Sequence, residues 1–123
     1  MELATLLGTY QSTLTNFGYL SKKWKENCEA ERLLGVSLTG YYDNPIIRDD
    51  KVLDTLRLDS IETNKKYAKR FGINASTAIT CVKPHGNSGQ LLSVGSGMHP
   101  WYAPYFIRRV RISHTDTLLQ MAR

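Results

Sequence analysis

The sequence predicts an alternating α/β chain, and three observations support this fold class. Short runs rich in aliphatic and β-branched residues, at 33–40 and 76–82, are typical of buried strands. Between them lies a long segment with an amphipathic pattern and helix start and stop signals. The order strand, helix, strand indicates a parallel βαβ unit.

A first helix is predicted from Leu3 onward, because apolar residues recur there at helical spacing and Gly18 follows as a stop signal. The apolar positions are Leu3, Leu6, Leu7, Tyr10, Leu14 and Phe17. This helix opens almost at residue one, without a polar lead-in or an obvious N-cap. That pattern suggests a chain that starts in the middle of a larger structure.

The long central helix has agreeing signals at both ends. Asp49 or Asp50 can cap its first turn. Lys69 and Arg70 in the last turn suit the helix dipole, and Gly72 stands where a left-handed C-terminal residue is needed. The apolar stripe consists of Val52, Leu53, Leu56, Ile61, Tyr67, Ala68 and Phe71.

The last third of the chain adds one more predicted strand and one more helix. A glycine-rich loop at 95–100 leads into a predicted strand at 105–112, which carries arginines among its apolar positions. His114 or Thr115 then caps a last helix, which the sequence leaves unfinished at Arg123.

Composition indicates one globular domain that favours anionic partners. The chain has 123 residues, 41% of them hydrophobic, and a formal net charge of +5. No apolar run is long enough for a membrane span, and the N-terminus lacks a secretory signal, so a soluble cytoplasmic protein is expected. The positive charge lies in three clusters: Lys22, Lys23 and Lys25; Lys65, Lys66, Lys69 and Arg70; and Arg108, Arg109 and Arg111.

The spacing of the cysteines and histidines predicts neither a CxxC redox motif nor a metal site. Cys28 and Cys81 are 53 positions apart, form no CxxC motif, and are interpreted as reduced, buried thiols. His85, His99 and His114 have no ligand at metal-binding spacing. No GxSxG elbow occurs, so the hydrolase templates fail as well.

The loop at 84–89 has the composition of an anion-binding turn. Its small residues let backbone N–H groups approach a phosphate closely, and a helix opening at Ser88 or Gly89 would add its dipole. The loop is neither a Walker A motif nor a GxGxxG motif, and a generic glycine turn has the same composition.

Aromatic residues beside the third basic cluster allow a different function. Trp101, Tyr102, Tyr105 and Phe106 could stack on bases while the neighbouring arginines contact phosphates. This alternative is a small basic module that binds nucleotides or single-stranded nucleic acid without catalysis. The competing interpretation of the same residues is an aromatic core beside a solvated strand end.

Four segments resemble, in order, blocks of the adenosylcobalamin-dependent (class II) ribonucleotide reductases. They are LLGVSLTG at 33–40, TCVKPHG at 80–86, GMHP at 97–100 and YFIRRVR at 105–111, and WKEN at 24–27 and TNK at 63–65 fit the same order. The resemblance covers nearly the whole chain, 1–123, but only a minor part of a family protein.

The resemblance implies a piece of the ten-stranded α/β barrel that reduces ribonucleotides by radical chemistry. In the family, adenosylcobalamin generates a thiyl radical on a cysteine of an Asn-Pro-Cys-Gly-Glu motif, and a thiol reductant such as thioredoxin supplies electrons. That motif is absent and by family order would precede Met1. No catalytic role therefore passes to Cys28 or Cys81. The chain would be a truncated reading frame or one part of a split reductase, inactive alone.

The resemblance assigns substrate-phosphate contacts to the loop formed by Pro84, His85, Gly86, Asn87 and Ser88. This assignment agrees with the composition of the loop and with its place after a strand of an α/β barrel. The usual family sequence there is Pro-Ser-Gly-Thr. His85 and Asn87 replace its two hydroxyl residues, although Asn87 can donate through its side-chain amide and His85 through a ring N–H.

Overall fold

The computed structural model describes residues 1–107 and 109–122, and about half of these residues are helical. Its α-helices are α1 (Glu2–Gln11), α2 (Lys22–Glu31), α3 (Asp50–Phe71), α4 (Ser88–Leu91) and α5 (Thr117–Met121). Two short 3-10 helices, Tyr41–Asp43 and Pro45–Arg48, precede α3.

The predicted ten-stranded barrel architecture is wrong for the structure. Within 1–107 and 109–122, the only pairing of strand type is one isolated parallel bridge between Val36 and Thr80. The amide of Val36 donates to Ile79 O at 2.9 Å, and the amide of Cys81 donates to Val36 O at 3.0 Å. The segments predicted as the first two strands thus lie side by side without forming a sheet.

The predicted strand at 105–112 is also wrong for its described residues, and Arg108 lies outside them. A strand needs a neighbour on at least one side to satisfy its N–H and C=O groups. Residues 105–107 and 109–112 have no such neighbour in the described part of the chain, so their β-branched and aromatic composition is insufficient to make a strand.

The long helix α3 confirms the predicted end signals. Asp49 caps its first turn by accepting a hydrogen bond from the amide of Lys51 at 2.8 Å. Gly72 ends the helix with φ of +68°, in the left-handed region that a glycine adopts without steric cost.

Helix α1 begins where predicted but ends at Gln11 rather than near Gly18. The hydroxyls of Ser12 and Thr13 donate to Thr9 O and Tyr10 O, both at 2.7 Å. Such local bonds from short polar side chains compete with the regular helical bonds and turn the backbone away.

Helix α2 was not predicted, because its residues are mostly charged and show no clear apolar stripe. Ser21 caps it, and the pairs Lys22–Glu26 and Lys25–Glu29 stand four residues apart. Helix α5 is capped by Asp116 rather than by His114 or Thr115. The predicted helical end at Arg123 lies outside the described residues.

Small polar side chains form the buried part of the contact between helices α1 and α3, and the ring of Tyr10 packs edge-on against that of Phe71. Thr5, Thr9 and Ser60 are fully buried, and Asn64 is 1% exposed. The Asn64 amide donates to Thr9 Oγ1 at 3.0 Å and to Ser76 Oγ at 2.9 Å, and its oxygen accepts from the amide of Ser76. These hydrogen bonds link α1 and α3 to Ser76, which lies four residues before the bridge residue Thr80.

The chain exposes far more surface than a compact monomer of the same mass. Its accessible surface is 9857 Å², whereas a compact monomer of 13.9 kDa would expose about 6,700 Å². The buried apolar side chains in the described part are few: Val36, Ala68 and Ile79. Among the described helices, none is long and apolar enough to cross a membrane.

Candidate phosphate-binding site

The loop predicted to bind phosphate begins four residues after Thr80, which forms the parallel bridge with Val36. It runs from Pro84 to Ser88 and continues into the short helix α4. Pro84, Gly86, Asn87 and Ser88 are exposed, and His85 is half-buried. The predicted residues therefore form one continuous loop that is open to solvent.

His85 anchors this loop to the neighbouring segment. Its Nε2 lies 3.1 Å from the hydroxyl of Ser37, and its backbone carbonyl accepts a hydrogen bond of 2.7 Å from Ser96 Oγ. The imidazole therefore points toward the segment that follows the bridge. In this arrangement His85 holds the loop in place and its Nε2 is engaged by Ser37.

Consecutive backbone amides of the loop have no protein acceptor. Among the described residues, none accepts a hydrogen bond from the N–H groups of Gly86, Asn87, Ser88 or Gly89. Asn87 stands at the start of α4, but its side chain forms no cap bond there. Amides without an acceptor at the start of a helix are donors that can bind an anion.

The second glycine-rich loop, at 95–100, lies against the backbone of Lys83 and Pro84 at the start of the first loop. Thr39 Oγ1 donates to Gly95 O at 3.0 Å and accepts from the amide of Gly97 at 3.3 Å. Gly97 has φ of +69°, and a Cβ there would lie 2.9 Å from Lys83 O. Only glycine allows this close approach of the two backbones.

Asp43 fixes the second glycine loop and orients an aromatic ring. Its carboxylate accepts hydrogen bonds from the amide of Gly95 and, at 2.7 Å, from Trp101 Nε1. Both bonds favour the charged form, so they hold the pKa of Asp43 below its usual range, with the Gly95 amide as the larger cause.

Several residues of this arrangement were not predicted. Ser37, Thr39, Asp43 and Ser96 all bond across more than ten positions of the sequence. No local pattern marks such contacts, because each depends on how distant segments are brought together. The distance between Asp43 and Trp101 along the chain, 58 positions, illustrates the point.

Among the described residues, the side chains of the other candidate residues form no hydrogen bond with this loop network. His99, Arg109 and Arg111 are exposed, and Arg108 lies outside the described residues. Cys81 is exposed, so the expectation that it is buried is wrong, whereas Cys28 is half-buried.

The described residues show no cluster of side chains that could hold a bare metal ion. No group of three or more His, Cys, Asp or Glu side chains converges among residues 1–107 and 109–122. Three cavities among the same residues are lined by no histidine.

Comparison with known proteins finds relatives of one kind. The chain is 40% identical over 73 residues, 59% of its length, to an adenosylcobalamin-dependent ribonucleoside-triphosphate reductase of Lactobacillus helveticus. It is 38% identical over 78 residues, 63% of its length, to the enzyme of that name from Lactobacillus gasseri. The matched part is 10% of each relative.

The chain is therefore related in sequence to ribonucleotide reductases, and it spans about a tenth of the length of the curated relatives it matches. No protein-family model matches it, and no solved structure matches it.

Proposed function

We propose that this chain acts as a segment of an adenosylcobalamin-dependent ribonucleotide reductase and holds the phosphates of the ribonucleotide substrate. The larger enzyme would make deoxyribonucleotides for DNA synthesis in the cytoplasm, through a thiyl radical and with a thiol reductant such as thioredoxin. The names of the relatives support the reaction and the cofactor. The radical cysteine, the reductant site and the cobalamin site belong to other parts of that enzyme.

One observation carries the phosphate assignment: the amides of Gly86, Asn87, Ser88 and Gly89 have no acceptor among the described residues. Amide donors suit a phosphate whatever side chains the loop carries, so the replacement of two hydroxyl residues by His85 and Asn87 leaves the main donors intact. Lys83, exposed and next to the loop, adds positive charge.

The large accessible surface supports the proposal that the chain works within a larger body. About 3,000 Å² beyond the surface of a compact monomer is comparable to an extensive obligate interface. Many of the exposed side chains are large and apolar, such as Leu3, Leu7 and Leu91. A covering partner, either further polypeptide of the same protein or the other part of a split reductase, would remove that surface from water.

Nucleotide titration tests the phosphate assignment directly. We expect ATP to shift the amide NMR signals of residues 86–89, and adenosine, which has no phosphate, to leave them unchanged. Ser88→Ala should weaken ATP binding about threefold to tenfold, because one hydroxyl donor is lost. Ser93→Ala is the matched control, since Ser93 is an exposed serine that follows α4. Equal shifts with adenosine would contradict a phosphate site.

Activity measurements test the reductase assignment. Alone, the chain should form no deoxynucleotide with adenosylcobalamin and a thiol reductant. Mixed with a polypeptide that carries the Asn-Pro-Cys-Gly-Glu motif, it should gain activity if the two are parts of one split enzyme. Turnover by the isolated chain would overturn the assignment of the radical residues to another segment.

The second candidate function, binding of single-stranded nucleic acid, has one observation in its favour. Tyr102 and Tyr105 are each 94% exposed and lie close in sequence to Arg109 and Arg111. Exposed aromatic rings beside arginines can stack on bases and contact phosphates. Binding of an oligonucleotide with a log–log salt dependence would support this function, and the absence of binding in low salt would eliminate it.

A further inference from the structure

A second candidate site shares no residue with the phosphate loop network. It is a cavity of about 670 Å³ between the end of α1, helix α2 and residues 33–35. This volume lies within the range of small-molecule sites in proteins, roughly 300 to 1,000 Å³. The cavity is lined by a buried cation that has no anionic partner among the described residues, and an anionic ligand would supply one.

Arg32, on the cavity lining, is only 9% exposed. Its Nη1 donates to Ser12 O, just beyond the end of α1. Its Nε is buried and has no hydrogen-bond partner among the described residues, and none of the ion pairs in that part of the chain includes Arg32. A guanidinium stays protonated in proteins, so burial cannot neutralise it as it can neutralise a lysine.

The other walls of the cavity are mostly apolar. Leu14, Phe17, Trp24 and Leu34 line it, and the hydroxyls of Ser12 and Thr15 and the amide of Asn27 supply neutral polar groups. A ligand that fits these walls has an apolar body of aromatic or branched aliphatic type. Trp24 and Phe17 can stack on or edge against such a body.

We propose that this cavity binds a small organic carboxylate whose apolar body lies against Trp24 and Phe17 and whose carboxylate pairs with Arg32. One guanidinium matches one carboxylate in charge and in fork geometry. A phosphate dianion fits less well, because the lining offers a single cation and also includes Glu31. The site is independent of the nucleotide site proposed above.

The test uses 3-phenylpropionate as the probe and the Trp101→Phe chain, in which Trp24 is the remaining tryptophan. We expect 3-phenylpropionate to change the emission of Trp24 in a saturable way. The neutral 3-phenylpropionamide should bind at least about tenfold more weakly, because it lacks the charge-assisted bond to Arg32. Inorganic phosphate should leave the emission unchanged.

Two variants locate the binding. Arg32→Met should abolish binding of the probe. Gln11→Glu places a negative charge on the cavity lining in the last turn of α1, and should weaken binding severalfold by repulsion or by pairing with Arg32. Gln120→Glu is the matched control, since it places the same charge near the end of α5, outside the cavity, and should leave binding unchanged.

The outcomes separate the proposal from its alternatives. Loss of binding in Arg32→Met and weakening in Gln11→Glu, with the control unaffected, support a carboxylate site. Equal binding of acid and amide, binding that persists without Arg32, or no response of Trp24 at all overturns it, and Arg32 then serves only to cap α1 at Ser12. If Arg32→Met is unfolded by circular dichroism, the comparison of Gln11→Glu with Gln120→Glu decides.

Discussion

At the scale of single residues, the side chain of Asp43 and the glycine at position 97 hold the loop network around residues 83–101 together. Asp43 joins Gly95 to Trp101 through its two carboxylate oxygens. Gly97 brings the second glycine loop against the backbone of Lys83. Each acts through geometry that only the folded chain supplies, and each can be tested by one substitution with a matched control.

Asp43 should contribute stability in its charged form. Because its folded pKa is depressed, the contribution is fully present above the unfolded value of about 3.9 and is lost as pH falls through the lower folded value. We expect Asp43→Asn to unfold at a lower urea concentration near neutral pH. The difference from the unsubstituted chain should narrow below about pH 3.9.

The local reporter for this prediction is the emission of Trp101 in a Trp24→Phe chain. With Asp43 present, the emission should titrate in the acid range, and in the Asp43→Asn variant it should not. A gap in urea midpoint that stays constant between neutral and acid pH would show that the charge of Asp43 plays no part.

Gly97→Ala should destabilise the chain more than Gly72→Ala. The two glycines have nearly equal φ, +69° and +68°, so the cost of a Cβ in the left-handed region is the same for both. At Gly97 the added Cβ also lies 2.9 Å from Lys83 O, whereas at Gly72 it meets nothing within 4 Å. The difference should be at least about 1 kcal/mol.

Urea denaturation of the two variants measures that difference. Gly97→Ala should also perturb the amide signals of residues 83–86 in NMR spectra, since the displaced backbone is theirs. Equal stability of the two variants would contradict the close approach of the two loops.

At the scale of elements, the helices differ in what stabilises them. Helix α3 has a capped start, a glycine end and many backbone bonds. Helix α1 is joined to α3 through buried threonines and Asn64 and through one aromatic contact, between Tyr10 and Phe71, whose ring centroids lie 6.1 Å apart. Hydrogen bonds between buried polar groups are sensitive to the loss of either partner, because the group left behind is unsatisfied.

Asn64→Ala should therefore loosen α1 from α3. The substitution removes three hydrogen bonds and leaves the amide of Ser76 without its acceptor, while the buried hydroxyl of Thr9 keeps only its bond to Thr5 O. We expect a loss of about 2 to 4 kcal/mol in the free energy of unfolding. Asn16→Ala, at an exposed asparagine, should change it by less than about 0.5 kcal/mol.

Chemical denaturation followed by circular dichroism checks both values. Hydrogen exchange should in addition become faster in α1 and at the amide of Ser76 when Asn64 is replaced. A change in Asn64→Ala no larger than in the control would show that the polar network is not what joins the two helices.

At the scale of the whole molecule, the surface is the dominant feature. The accessible area of 9857 Å² is nearly half as large again as the value of about 6,700 Å² expected for a compact monomer. Exposed leucines and aromatic residues occur on α1, on α4 and along residues 101–107. Surfaces of this kind are usually covered by further polypeptide, and when bare they favour association.

We expect the isolated chain to associate with itself at micromolar concentration and to bind a hydrophobic dye. Light scattering after size exclusion measures the mass, and dye fluorescence measures the open apolar surface. Leu3→Lys with Leu7→Lys removes two exposed leucines of α1, which are 69% and 59% exposed, and should reduce both signals. If the isolated chain is a monomer that binds no dye, the proposal that further polypeptide covers its apolar surface in the functional protein is contradicted.

The sequence alone determined the features that depend on neighbouring residues. Asp49, Gly72 and the stripe between them predict α3 correctly, because capping and helical periodicity act within a few positions. The proline and glycines at 84–89 predict a turn-rich loop, and the structure has irregular backbone at 84–87 before α4 begins at Ser88. The motifs at 80–86 and 105–111 indicate the relationship to ribonucleotide reductases that the relatives support.

Only the tertiary structure decided which segments have partners. The runs at 33–40 and 105–112 have the composition of strands, but a strand exists only where another backbone accepts its hydrogen bonds, and the described residues supply a single bridge. The bonds from Ser37 to His85 and from Asp43 to Trp101, and the unpaired Arg32, likewise arise between distant positions. Local sequence patterns act over a few residues, whereas pairing and burial depend on the whole arrangement of the chain.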